Sequence, residues 1–150
     1  MAEAHVTEAQ LDELVELVTE ATSAFIGGRM QRYFELVNHA DDFTLMGPFG
    51  GDTSRDSENS EAQIAEMQRF FKRGEATLEI VETYASGDLA VLVVVEHQQG
   101  EVGDLPAQDW SLRVTLVFRR ESDAWRLVHR HADALVHPIT FEQLAALARG

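Results

Sequence analysis

Two hydrophobic periods divide the chain. In the first half, apolar residues recur mainly at helical spacing; in the second they alternate. Leu11, Leu14, Val15, Val18, Ala21 and Phe25 share one side of a helix, with Asp12, Glu13, Glu16 and Glu20 between them. Thr7-Glu8-Ala9-Gln10 has the form of a capping box, which satisfies free amides at a helix start, and Gly27-Gly28 ends the segment. A short second helix is expected over 30–37, with Tyr33, Phe34 and Val37 apolar. Residues 42–46 read as a strand broken by Gly47-Pro48-Phe49-Gly50-Gly51. Ser60 and Gln63 form a second capping box, opening a helix that presents Ile64, Met67, Phe70 and Phe71, with Gly74 as its stop.

Residues 75–86 alternate Leu78, Ile80 and Glu82 against Glu79, Val81 and Thr83. After a Gly87-Asp88 turn, residues 89–98 are apolar on both faces, which predicts a central strand covered on both sides. Residues 99–106 read as a polar loop. Residues 108–120 set Trp110, Leu112, Val114, Leu116 and Phe118 on one face, and a turn at 121–124 leads to a last strand over 125–136. Pro138 follows, then a third capping box, Thr140 and Gln143, opens a terminal helix. Helices first and consecutive strands afterwards predict one α+β domain over residues 1–150. Its long strands form a strongly curved, largely antiparallel sheet, with the N-terminal helices across the concave side. Such a sheet encloses a cavity suited to a small molecule.

Charge narrows the partners. With 26 acidic and 12 basic residues the formal net charge is −14, which repels nucleic acid and anionic membrane surfaces. Arg69, Lys72 and Arg73 are the nearest approach to a basic patch and fit a helix C-terminus. The chain has no cysteine, which removes disulfides, thiolate ligands and a cysteine nucleophile and suits a cytoplasmic protein. Met1-Ala2-Glu3-Ala4-His5 has no signal-peptide pattern, and the longest apolar run, 89–95, is too short to span a bilayer.

Two segments carry a family resemblance. Phe43-Thr44-Leu45-Met46-Gly47-Pro48-Phe49-Gly50-Gly51 resembles the strand and glycine-rich turn after the second helix of SnoaL-like proteins. Val114-Thr115-Leu116-Val117-Phe118-Arg119-Arg120, a short turn and Trp125-Arg126-Leu127-Val128-His129-Arg130-His131 resemble that group's closing hairpin. The order of elements is similar over nearly the whole chain. The resemblance implies the ketosteroid isomerase-like (nuclear transport factor 2-like) architecture, a cone-shaped sheet with helices packed in its mouth. That scaffold hosts isomerases, cyclases, dehydratases and hydrolases as well as binding and assembly modules, so it does not fix function. Where relatives with this hairpin often carry a small hydroxyl residue, this chain has Asp133.

Candidate chemistry is sparse. His129, His131 and Asp133 alternate along a predicted strand and are expected on the face of Trp125 and Leu127. There they would form a catalytic His–Asp base; otherwise they are structural residues of an outer face or dimer contact. His97 ends the run Val91, Val93, Val95 and either points into the cavity or caps a strand end. Tyr33, Phe43, Met46, Phe70 and Trp110, with His97, are the candidate substrate-binding residues, the alternative being plain core packing. Arg113, opposite the Trp110 face, is expected on the outer face or as a bidentate carboxylate ligand. No metal site and no cofactor are expected: His39, Asp41 and Asp42 read as a solvated loop, and 47–51 lacks the lysine of a phosphate loop. The expected partners are a small hydrophobic ligand and a second copy of the chain, meeting across the outer sheet face.

Overall fold

All three capping boxes form. Thr7 Oγ1 accepts from the Gln10 amide at 3.1 Å while Gln10 Oε1 accepts from the Thr7 amide at 2.9 Å, opening α1, Glu8–Ile26. Ser60 with Gln63 opens α3, Glu61–Phe70, and Thr140 with Gln143 opens α4, Phe141–Arg149. Between them lie the short α2, Met30–Leu36, and β1, Asn38–Met46. The remaining strands are β2, Phe71–Ser86, β3, Leu89–Val102, β4, Gln108–Asp109, β5, Leu112–Glu121, and β6, Ala124–Asp133. The computed structural model describes residues 5–55 and 60–150, so Met1 to Ala4 of the N-terminal stretch lie outside the described residues.

The strands form one six-stranded mixed sheet in the order β1-β6-β5-β3-β2, with β4 added to β3. Among the described residues, only the β1–β6 pairing is parallel. The β5–β6 turn has Ser122 and Asp123 at φ of 50° and 67°, the primed-turn geometry that matches strand twist in a two-residue hairpin. The sheet is curved and open, with α1 across its concave side: Leu14, Val18 and Ala21 pack against Ala90, Leu92, Val94, Leu116 and Phe118 in one core. Covering this apolar surface is the main favourable term in folding.

Several boundaries differ from the sequence expectation. The α3 helix does not run to Gly74; it ends at Phe70 and the chain turns directly into β2. The reason is packing: Gly74 pairs with Gly100 across β2 and β3, and a Cβ on Gly74 would sit 2.8 Å from Ile26 Cγ1. Both glycines let the end of α1 press onto the sheet. The expected loop over 99–106 is strand as far as Val102, because β2 and β4 both pair there. The face of β3 carrying Val91, Val93 and Val95 is only partly covered in the single chain rather than buried on both sides.

Register breaks within β2 and β6 move side chains between faces. Ile80 pairs with Val94 and Glu82 with Val93, so Val81 is an extra residue and the alternation expected for 75–86 reverses at that point. On β6, Leu127 pairs with Phe118 and His129 with Val117, making Val128 the extra residue.

Of the glycine positions, Gly28 in the α1–α2 connection leaves least room for a side chain. Gly28 has φ of 77°, and a Cβ there would collide with the Phe71 carbonyl oxygen. Gly28→Ala is expected to destabilise the fold by about 2 kcal/mol or more, combining left-handed strain with that clash. Urea denaturation of the variant against the parent chain measures it.

Candidate functional site

Three elements meet at one buried ion pair. On β3, the inward series Ala90, Leu92, Val94 continues into Glu96 and Gln98. On β6, the bulge at Val128 turns Arg130 and Ala132 inward after Trp125 and Leu127. Arg130 pairs by register with Leu116 on β5 and reaches across that strand to β3. Its Nη1 donates to Glu96 Oε2 at 2.8 Å and its Nη2 to Oε1 at 2.9 Å, a bidentate geometry that suits guanidinium. Glu96 is only 2% exposed. Thr22 of α1 approaches Oε2 at 3.5 Å while donating to the Val18 carbonyl at 2.8 Å. Gln98 Nε2 lies 3.4 Å from Glu96 Oε1 and 3.4 Å from the Trp110 carbonyl.

Burial of the guanidinium opposes its charge, but the Glu96 carboxylate outweighs that cost and holds the Arg130 pKa above its ordinary value. Tyr33 sits within electrostatic range of both. Burial raises its phenol pKa above the usual value, with Arg130 opposing and Glu96 adding to the rise. The site is therefore a neutral, charge-separated pair inside a largely apolar wall.

Beside the pair is a cavity of about 250 Å³. Phe25, Leu45, Phe71, Val102, Trp110 and Leu112 wall it, and Gln98 and Arg130 supply its polar surface. Trp110 is fixed by its indole Nε1, which donates to the Gly100 carbonyl at 3.0 Å. The Gly47-Pro48-Phe49 turn lies at the mouth, with Phe49 90% exposed.

The sequence-predicted residues divide between this cavity and elsewhere. Trp110 lines it, and Tyr33 stacks edge-on against the wall residue Phe25 with ring centroids 5.1 Å apart. Phe43 is buried in the main core, stacked on His39. Met46 is half exposed on the outward side of β1, and Phe70 is half exposed beside Gly103.

His97 points away from the cavity and bonds Glu79 on the outer face at 2.8 Å, because Glu96 and Gln98 hold the inward positions of β3. His129, His131 and Asp133 do not share the face of Trp125 and Leu127; the Val128 bulge puts all three on the outer face. There His129 Nδ1 contacts Thr44 Oγ1 at 2.8 Å, and Asp133 accepts from Arg113 Nε and Nη2 at 2.9 Å each. The Arg113 hydrogen bonds hold the Asp133 carboxyl below its ordinary pKa. Arg113 thus binds a carboxylate bidentately, but the carboxylate is the chain's own. His39, Asp41 and Asp42 lie in β1 rather than in a loop, with Asp42 bonded to Arg119. Among the described residues, no group of three or more His, Cys, Asp or Glu is arranged to hold a metal ion.

Sequence reasoning missed Glu96, Gln98 and Arg130. One signal was present: a charged and an amide residue extend the inward series of an otherwise apolar strand. Removing one partner of the pair leaves a buried charge uncompensated. Arg130→Met is therefore expected to cost about 3 kcal/mol, near the low end for a broken buried pair because the Arg130 side chain is 23% exposed and lines the cavity. The double variant Glu96→Met/Arg130→Met is expected to recover most of that loss. A double-mutant cycle by chemical denaturation reads both numbers.

The comparisons with known proteins agree with this architecture. A family model described as a SnoaL-like domain matches residues 14–136. Among solved structures, a Streptomyces avermitilis protein described provisionally as a dehydratase of the NTF2-like family is 19% identical. It superposes with a TM-score of 0.65 over 86% of this chain and 96% of its own. An NTF2-like superfamily protein from Salmonella enterica subsp. enterica serovar Typhimurium str. LT2 is 19% identical, with a TM-score of 0.65 over 89% of this chain and 94% of its own. A Nostoc punctiforme protein of unknown function with a cystatin-like fold is 18% identical, with a TM-score of 0.65 over 94% and 99%. At such identities the likeness is one of fold. No curated protein matches the chain. The family match, the mixed curved sheet and the helices across it together show that the chain belongs to the SnoaL-like domain family.

Proposed function

We propose that this domain binds a small hydrophobic molecule in the cavity between α1, the 47–49 turn and the β3–β5 end of the sheet. The observation that carries the reading is the wall itself. Aromatic and aliphatic side chains enclose about 250 Å³ around a few convergent polar groups, the usual composition of a ligand site. A His–Asp base acting on a ligand in this cavity gains no support, since His129, His131 and Asp133 lie on the other side of the sheet. The cavity is expected to report its occupant through Trp110. Titration with indane, a bicyclic hydrocarbon, should change Trp110 fluorescence in the parent chain. In Leu112→Trp, which fills the space, binding read by calorimetry should weaken at least about tenfold, with the circular dichroism spectrum confirming the fold. Equal binding in both chains would place the hydrocarbon elsewhere.

The same proposal includes a homodimer across the outer sheet face. Val91, Val93 and Val95 are only partly covered there, and Val81 and Tyr84 are exposed. Arg113 is paired with Asp133 and His97 with Glu79 within the chain, which lowers the charge that opposes a second copy here and leaves Glu82, beside Val93, as an acidic group the dimer must accommodate. Val93→Arg should convert a dimer to a monomer in light scattering at micromolar concentration, and a parent chain that is already monomeric there would remove this part of the reading.

A further inference from the structure

The cavity's polar end has a hydrogen-bonding valence that the chain leaves partly unspent. Gln98 is the clearest case. Its Nε2 faces two acceptors, Glu96 Oε1 and the Trp110 carbonyl, each at 3.4 Å. That fixes the amide orientation, because the flipped form would set oxygen against oxygen at both contacts. Its Oε1 therefore faces away from them, and among the described residues no protein group donates to it. The side chain is 5% exposed and lines the cavity, so this oxygen is an acceptor that bulk solvent barely reaches.

Arg130 supplies the complementary half. A guanidinium carries five N–H groups, and Glu96 uses one on Nη1 and one on Nη2. The others remain on a side chain that also lines the cavity. Glu96, by contrast, is 2% exposed, holds Arg130 on both oxygens and is not among the residues that line the cavity.

Charge and size restrict the ligand further. Arg130 and Glu96 cancel, so an anion entering beside them would add an uncompensated buried charge to a chain already at −14. An ammonium group would face the guanidinium. At about 250 Å³ the space lies below the roughly 300–1,000 Å³ of drug-sized sites, which fits one or two fused rings rather than a tetracyclic body.

Resting on the binding role proposed above, we infer that the ligand is a neutral mono- or bicyclic compound whose single polar group both donates and accepts. That group is a hydroxyl, which donates to Gln98 Oε1 and accepts from Arg130. A ketone would satisfy only the arginine and leave the glutamine oxygen unpaired, a loss that buried polar sites enforce strongly.

A matched probe series tests this by isothermal titration calorimetry at neutral pH: indane, 1-indanone, 1-indanol and indane-1-carboxylate. The expected order places 1-indanol at least about tenfold tighter than indane and than the carboxylate, with 1-indanone between. In Gln98→Met, checked for folding by circular dichroism and thermal melting, the preference for 1-indanol over 1-indanone should disappear. Indane binding as tightly as 1-indanol would overturn the hydroxyl assignment while leaving the apolar cavity reading intact. The carboxylate binding tightest would overturn the neutrality argument alone. Binding by none of the four would remove the cavity reading and this inference with it. A preference that survives unchanged in Gln98→Met would show that the amide is not the group being read.

Discussion

The Arg130–Glu96 pair sets the terms for the rest of the molecule. A carboxylate that is 2% exposed is tolerated only if a cation meets it with good geometry, and here that cation must reach from β6 over β5 to β3. On an unbroken β6, Arg130 would lie on the opposite face from Leu127 and the contact could not form. The extra residue at Val128 solves this by exchanging the two faces for the remainder of the strand. The ion pair and the bulge are thus one feature. Together they tie the β3 and β6 strands to each other and to Thr22 on α1, which closes the concave side above them.

The same exchange composes the outer face. The step that turns Arg130 inward turns His129, His131 and Asp133 outward, where Thr44 and Arg113 meet them. One face of the sheet then holds an internally neutral pair beside apolar walls. The other holds valines and threonine among charges, of which Arg113 with Asp133 and His97 with Glu79 are paired within the chain. The acidic excess lies on the polar side of α1 and along exposed positions of β2, where Glu75, Glu79 and Glu82 belong to the outer face. The concave face, with its internally neutral pair, is the surface of this acidic chain at which apolar contact meets least electrostatic opposition.

Much of the architecture is written in local patterns. Capping boxes at Thr7, Ser60 and Thr140 mark helix starts because the chemistry involves residues three apart, and the alternation of Val114, Leu116 and Phe118 places β5 correctly. The site is not local in this sense. A bulge changes no residue's preference for strand, so the alternation through Trp125 and Leu127 extrapolates smoothly to the wrong face at His129. On β3 both series are apolar until Glu96 and His97, so periodicity alone does not say which side is inward. Glu96 looks like a solvated strand-end charge until Arg130, 34 positions later, is known to face it. Gly74 misleads for a related reason: its role is to let Ile26 approach the sheet, a tertiary constraint that resembles a helix stop in sequence.

The hollow beside the pair bears on what the fold is for. An unfilled apolar space costs stability through lost packing, on the order of 24 cal/mol per Å³ for enclosed cavities, so even an open one of about 250 Å³ represents stability forgone. The chain has simple means of closing it, since Leu45 and Leu112 line the hollow at the edge of the core built around Leu14, Leu92 and Phe118, and larger side chains there would occupy the space. It also keeps two polar side chains at the inner end with hydrogen-bonding capacity unspent, where apolar residues of similar volume would avoid the desolvation cost. Packing alone explains neither feature. The occupant proposed above, filling the hollow and pairing with its polar end, would account for both.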